Sequence, residues 1–161
     1  MNIGIISGYF NPIHVGHLDY IESARKNCNY LYVIVNNDKQ VTLKGSVPFM
    51  DENDRTRIVT ALSDVNGVIL SIDEDESVVA SIEKIYQKYE YDVFVDSIVF
   101  MNGGDRTTKN VPEMSVCKEL DVTMLWGVGG GKIQSSSWLI ENKNKVETNE
   151  FGDDDWAVPE K

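Results

Sequence analysis

The chain is poor in cysteine and histidine, with two of each among its 161 residues. Cys28 and Cys117 stand far apart and form no CxxC pair, so the expectation is a reduced, cytoplasmic protein. Basic residues are also short: 15 Lys and Arg against 26 Asp and Glu give a formal net charge of −11. That balance excludes a nucleic-acid-binding surface, which needs an excess of Lys and Arg. It leaves small phosphorylated ligands open, because a few cations converging in one cleft outweigh a diffuse acidic background. Much of the excess is local, and DEDE at 73–76 and DDD at 153–155 read as solvated surface. No stretch approaches the ~20 apolar residues of a membrane span, which argues against a membrane partner. Met1–Gly8 has no positive charge ahead of its apolar run and reads as a strand rather than a signal peptide.

Short apolar runs alternate with amphipathic ones along the rest of the chain. Strands are expected at Ile3–Ser7, Tyr30–Val35, Val68–Ile72, Ile98–Met101 and Val122–Leu125. Between them lie a helix from His14–Gly16 to about Asn27, one capped by Asp51 with Ile58, Val59 and Leu62 inward, and one over Ser77–Tyr89. A polar loop is expected around Thr42–Ser46, and a short helix from about Ser135. Strands alternating with helices imply βαβ units: a Rossmann-like, doubly wound parallel sheet in an α/β fold. The expected division is one domain over residues 1–143 and an acidic, loosely ordered tail over 144–161. In such sheets ligands sit beyond the carboxyl ends of the strands. The loops there are GYFNPIHVGH, NNDK…LKG, NGGDRTTK and GVGGGKIQSSS.

Both histidines fall in the first of these loops. Gly8 ends the strand and permits a tight turn that exposes N–H groups to an anion. Gly16 lies at the start of a helix, where unpaired N–H groups and a partial positive charge suit a phosphate. His14 and His17 are one helical turn apart on one face, so both rings can donate to a phosphate. A zinc site would need further ligands nearby, and neither cysteine sits in a strand-end loop. GVGGGKIQSSS is not a Walker A loop, since Trp126 and Ile133 stand where its first glycine and its Ser/Thr belong.

GYFNPIHVGH resembles the GxFxxxHxGH signature of the nucleotidyltransferase superfamily, which includes cytidylyltransferases of glycerol phosphate and adenylyltransferases of heptose phosphate. The likeness extends to about residue 140. It implies His14, His17 and Lys44 as the catalytic set. It implies nucleotide contacts from Gly8, Tyr9 (through its backbone), Phe10, Gly16, Asp105, Lys132, Ser135 and Ser136, and an acceptor contact from Arg55. It implies attack of an acceptor phosphate on the α-phosphorus of a nucleoside triphosphate, CTP ahead of ATP, with Mg²⁺ on the departing pyrophosphate. The acceptor would be a small phosphorylated alcohol or sugar, no protein metal ligand is implied, and a homodimer is expected. The chain departs from the pattern at Asn11, where many members carry an acid, at Asn102, where adenylyltransferase relatives carry a lysine, and at Lys132, which stands near an arginine position. These departures keep a second class of reading open, a nucleotide-binding module without transfer activity.

Overall fold

The computed structural model describes residues 1–104 and 111–130. Over these the order is β1 (Asn2–Gly8), α1 (Val15–Arg25), β2 (Tyr30–Val35), α2 (Asp38–Leu43), α3 (Glu52–Thr60), β3 (Gly67–Leu70), α4 (Val79–Tyr89), β4 (Ser97–Gly103), α5 (Met114–Glu119) and β5 (Thr123–Val128). The strands form one sheet in the order β3-β2-β1-β4-β5, and every adjacent pair is parallel. The chain therefore winds outward from β1 to one edge, returns across β1, and continues to the other.

Alternation along the strands divides the core into two layers. Ile3, Ile5, Ile34 and Phe100 pack with Ile82 and Ile85 of α4 and Val116 and Cys117 of α5. Ile6, Leu31, Val33, Val99 and Met101 pack on the other face with Ile21 and Ala24 of α1 and Val59 of α3. Apolar side chains on both faces explain why the strands read as near-continuous hydrophobic runs. Cys28 and Cys117 are buried free thiols in opposite layers, with the sheet between them.

The elements depart from the sequence expectation at four places. A helix, α2, precedes the polar loop expected around Thr42–Ser46 and takes in its first two residues, because Asn37 caps it: its side chain accepts from Gln40 N–H at 2.9 Å, and Gln40 Oε1 accepts from Asn37 N–H at 3.0 Å. This is a capping box, and N-x-x-Q at 37–40 was its sequence signal. The short α5 went unread. β5 runs on to Val128, past an irregularity in pairing between Met101 and Gly103. Asp73 is buried rather than solvated, since its carboxylate accepts from Ala80 and Ser81 N–H at 2.7 and 3.1 Å and so caps α4. The expected tail and the helix near Ser135 lie outside the described residues.

Candidate active site

The sheet reverses its winding between β1 and β4, which places a crevice at their carboxyl ends. Gly8 closes β1, and its carbonyl accepts from Asn36 N–H at 2.9 Å. The glycine is required by packing, not by an unusual torsion angle: a Cβ there would lie 2.9 Å from the Phe10 ring. Phe10 itself adopts the left-handed conformation, with φ 49°. Such strain persists only where the surroundings over-determine it. Here the carbonyl of Tyr9 accepts from Arg55 Nη1 at 2.7 Å, and the side chain of Asn11 is fixed at both ends. The Phe10 ring is buried and rests against His17, with centroids 4.9 Å apart.

His14 is the N-cap of α1, and its Nδ1 accepts from Gly16 N–H at 3.0 Å. His17 returns the favour three residues on, its Nδ1 accepting from His14 N–H at 3.1 Å. The rings stack with centroids 3.8 Å apart. A nitrogen that accepts a hydrogen bond bears no proton, so each neutral ring carries its proton on Nε2. Burial, then His14 and Lys44 close by, push His17 down to about 3. His17 is therefore neutral at pH 7 and serves as an oriented donor rather than a cation. Because its folded value lies below its usual 6.5, its contribution to stability is present above that value and fades as pH falls from 6.5 toward 3. The N–H of Gly16, one of those at the start of α1, is taken by this cap.

Positive charge comes from Lys44, the C-cap of α2, whose Nζ lies 4.3 Å from the centroid of the Tyr9 ring. The Tyr9 aromatic face thus has a use that the sequence reading, which credited only its backbone, did not foresee. Arg55, the acceptor contact implied by the resemblance, is engaged within the protein. Its side chain is fully buried, donating to the carbonyls of Met50, Tyr9 and Asn36 at 3.1, 2.7 and 2.6 Å and to Asp38 Oδ1 at 2.7 Å. One guanidinium fork thus satisfies four acceptors and ties together three segments: the loop after β1, the β2–α2 junction and the stretch before α3.

Asn102 lies near the carboxyl end of β4, buried, its Nδ2 3.5 Å from the Leu125 carbonyl and its Oδ1 without a partner among the described residues. Asp105, Lys132, Ser135 and Ser136 lie outside the described residues. Among the described residues no three of His, Cys, Asp and Glu gather as a metal site, and no helix is long and apolar enough to cross a membrane. What the residues do bring together is chemically specific: two Nε2–H donors locked in direction and one ammonium, in loops that follow β1 and β2.

An FAD synthase from Ferroglobus placidus is 42% identical over 81 residues, covering 50% of this chain and 51% of that protein. The bifunctional protein HldE of Hyphomonas neptunium is 32% identical over 119 residues, covering 69% of this chain and 21% of that one. The chain thus spans about half the length of the FAD synthase and a smaller share of HldE. In fold it resembles the lipopolysaccharide core biosynthesis protein from Thermoplasma volcanium, with a TM-score of 0.59 over 79% of this chain and 94% of that one, at 24% identity. The model of one family, described as cytidylyltransferase-like, matches residues 5–127, from within β1 to within β5. The chain belongs to the cytidylyltransferase-like family of nucleotidyltransferases.

Proposed function

We propose that the protein transfers an adenylyl group from ATP to a small phosphorylated acceptor and releases pyrophosphate. The observation that carries the reading is the His14–His17 pair, whose Nδ1 atoms are both occupied by backbone N–H groups. The α-phosphoryl group gains negative charge on its oxygens as the acceptor phosphate attacks and the bond to pyrophosphate breaks. Preorganised donors aimed at that charge stabilise the transition state without rearranging. Lys44 grips the β- and γ-phosphates, and no covalent intermediate is required. A divalent ion such as Mg²⁺ would be carried in on the triphosphate, its usual mode, and would supply charge neutralisation for the departing pyrophosphate.

The choice of ATP over the CTP favoured by the sequence alone rests on the relatives. FAD is flavin mononucleotide joined to an adenylyl group, so the name FAD synthase describes the formation of that linkage. Calorimetric titration with ATP and CTP, each with and without Mg²⁺, tests the reading. ATP is expected to bind the tighter, and Mg²⁺ to strengthen it. A preference for CTP would restore cytidylyl transfer, and binding of neither would remove the nucleotidyl-transfer reading.

Lys44→Ala is expected to weaken ATP binding by about 10–100-fold, the scale of one charge-assisted hydrogen bond of about 1.5–3 kcal/mol. AMP binding should change by less than about twofold, since AMP lacks the phosphates that the ammonium meets. Equal losses for the two nucleotides in the same titration would place Lys44 elsewhere.

A further inference from the structure

We propose that Tyr20 is a positioning residue for nucleotidyl transfer: it seats α1 against the carboxyl ends of β4 and β5 and thereby sets the aim of His17 Nε2–H. The inference rests on the nucleotidyl-transfer reading and deepens it. Tyr20 stands three residues after His17 on α1, so the two side chains are neighbours on one face of the helix. Its hydroxyl donates to the Met101 carbonyl of β4 at 2.5 Å. Its ring borders Gly103, where a Cβ would lie 2.9 Å from Cε2, and its Cα borders Gly129, where a Cβ would lie 3.1 Å away. One residue thus meets both the last residue of β4 and the first residue after β5.

The backbone on that side is shaped around the contact. Met101 pairs with Leu125 but Gly103 with Val128, so β5 spends one residue more than β4 over the same stretch. Gly127, with φ 66°, supplies a left-handed conformation of the kind such bulges use. An extra residue sends the side chains after it to the other face of the sheet. Leu125 and Val128, three apart, accordingly both pack in the layer of α1, where a regular strand would divide them between the two layers. The bulge therefore brings the end of β5 onto α1, and the two positions that meet Tyr20 there both lack a side chain.

The hydroxyl adds direction to an apolar contact. Ile21 and Ala24 bury the inner face of α1, and hydrophobic burial is non-directional, so it offers little resistance to a small slide or rotation of the helix. A hydrogen bond from the ring to β4 fixes direction as well as depth. Aim matters for His17 because a neutral donor acts only within hydrogen-bonding distance, whereas a cation attracts a phosphate from further away. The capping bonds orient the two histidine rings relative to α1, and Tyr20 orients α1 relative to the strands whose ends border the crevice. A misplacement of about 1 Å at such a group costs on the order of 10²-fold in rate. Phenylalanine would fill the same slot between the glycines, so the hydroxyl rather than the bulk carries the effect.

The test is a double-mutant cycle on ATP affinity, measured by calorimetric titration in the presence of Mg²⁺ for the wild-type protein, Tyr20→Phe, His17→Asn and the two combined. Phenylalanine keeps the ring in its slot and asparagine keeps an acceptor for His14 N–H, so all four proteins are expected to fold, which circular dichroism verifies. Tyr20→Phe should raise the Kd for ATP by about three- to tenfold where His17 is present, part of the worth of one hydrogen bond to a charged group. In the His17→Asn background the same change should be less than about twofold, because the donor that Tyr20 aims is already gone. A tyrosine that only stabilised the fold would show no such dependence on His17. Unchanged ATP affinity in Tyr20→Phe, or the same loss in both backgrounds, would overturn the positioning role and leave nucleotidyl transfer standing. A wild-type protein that binds no ATP would remove the nucleotidyl-transfer reading, and the positioning role with it.

Discussion

Replacement of His17 by asparagine is expected to lower turnover by about 10²–10³-fold, the range seen when one preorganised transition-state donor is removed. Asparagine is the informative choice because it separates the two ring nitrogens. Its Oδ1 can occupy the place of Nδ1 and accept from His14 N–H, so the start of α1 keeps its cap. Nothing replaces Nε2–H. Glutamine makes the opposite exchange, reaching toward Nε2 and abandoning the cap. The expected pattern is therefore a stable, slow His17→Asn protein and a less stable His17→Gln protein that retains more activity. Thermal unfolding and initial rates on both variants decide it. Because His17 is held neutral down to about pH 3, it should add no inflection to the rate between pH 5 and 8. An activity that fell with a midpoint near 6.5 on account of His17 would show that it acts as a proton carrier instead.

The second large effect lies in folding. Arg55→Met is expected to destabilise the protein by about 3–5 kcal/mol, the scale of removing one partner from a buried, hydrogen-bonded charge. Methionine fills the space but leaves the carbonyls of Tyr9, Asn36 and Met50 without their donor. Asp38 is about a third exposed and can recover water, so most of the loss belongs to the carbonyls. Arg55→Lys should not restore the wild-type value, since an ammonium cannot reproduce the planar fork. Urea denaturation gives the answer directly. A loss under about 1 kcal/mol, joined to a raised acceptor KM, would return Arg55 to the acceptor contact that the family resemblance implied.

These two residues show what could be read before any coordinates and what could not. The histidine pair was legible because its spacing, its strand before and its helix after all lie within one short stretch of sequence. Arg55 was legible as important but not in its surroundings, because three of its four acceptors are backbone carbonyls. A carbonyl leaves no trace in the residue types, so no sequence pattern distinguishes a guanidinium that meets a ligand from one that ties loops together. Strands and long helices were legible through hydrophobic spacing. The helices α2 and α5, each six residues long, fell below the length at which periodicity is decisive, although the capping box of α2 was in plain view.

The central position of β1 has a consequence for how the protein is made. Asn2 pairs with Ser97 and Ile5 with Phe100, so one edge of β1 waits for a strand almost a hundred residues downstream. At ~5–20 residues per second, β4 follows β1 by roughly 5–20 s, and β2 and β3 emerge and can assemble beside β1 within that time. Throughout that interval Ile3, Ile5 and Ile6 border an uncovered strand edge, the kind of template on which nascent chains associate wrongly. The half of the molecule that carries both histidines, Lys44 and the Arg55 clamp is thus synthesised first and sealed last. Its yield in a cell depends on how quickly β4 arrives, and synonymous codons that slow translation between residues 72 and 97 should lower soluble expression without altering a single side chain.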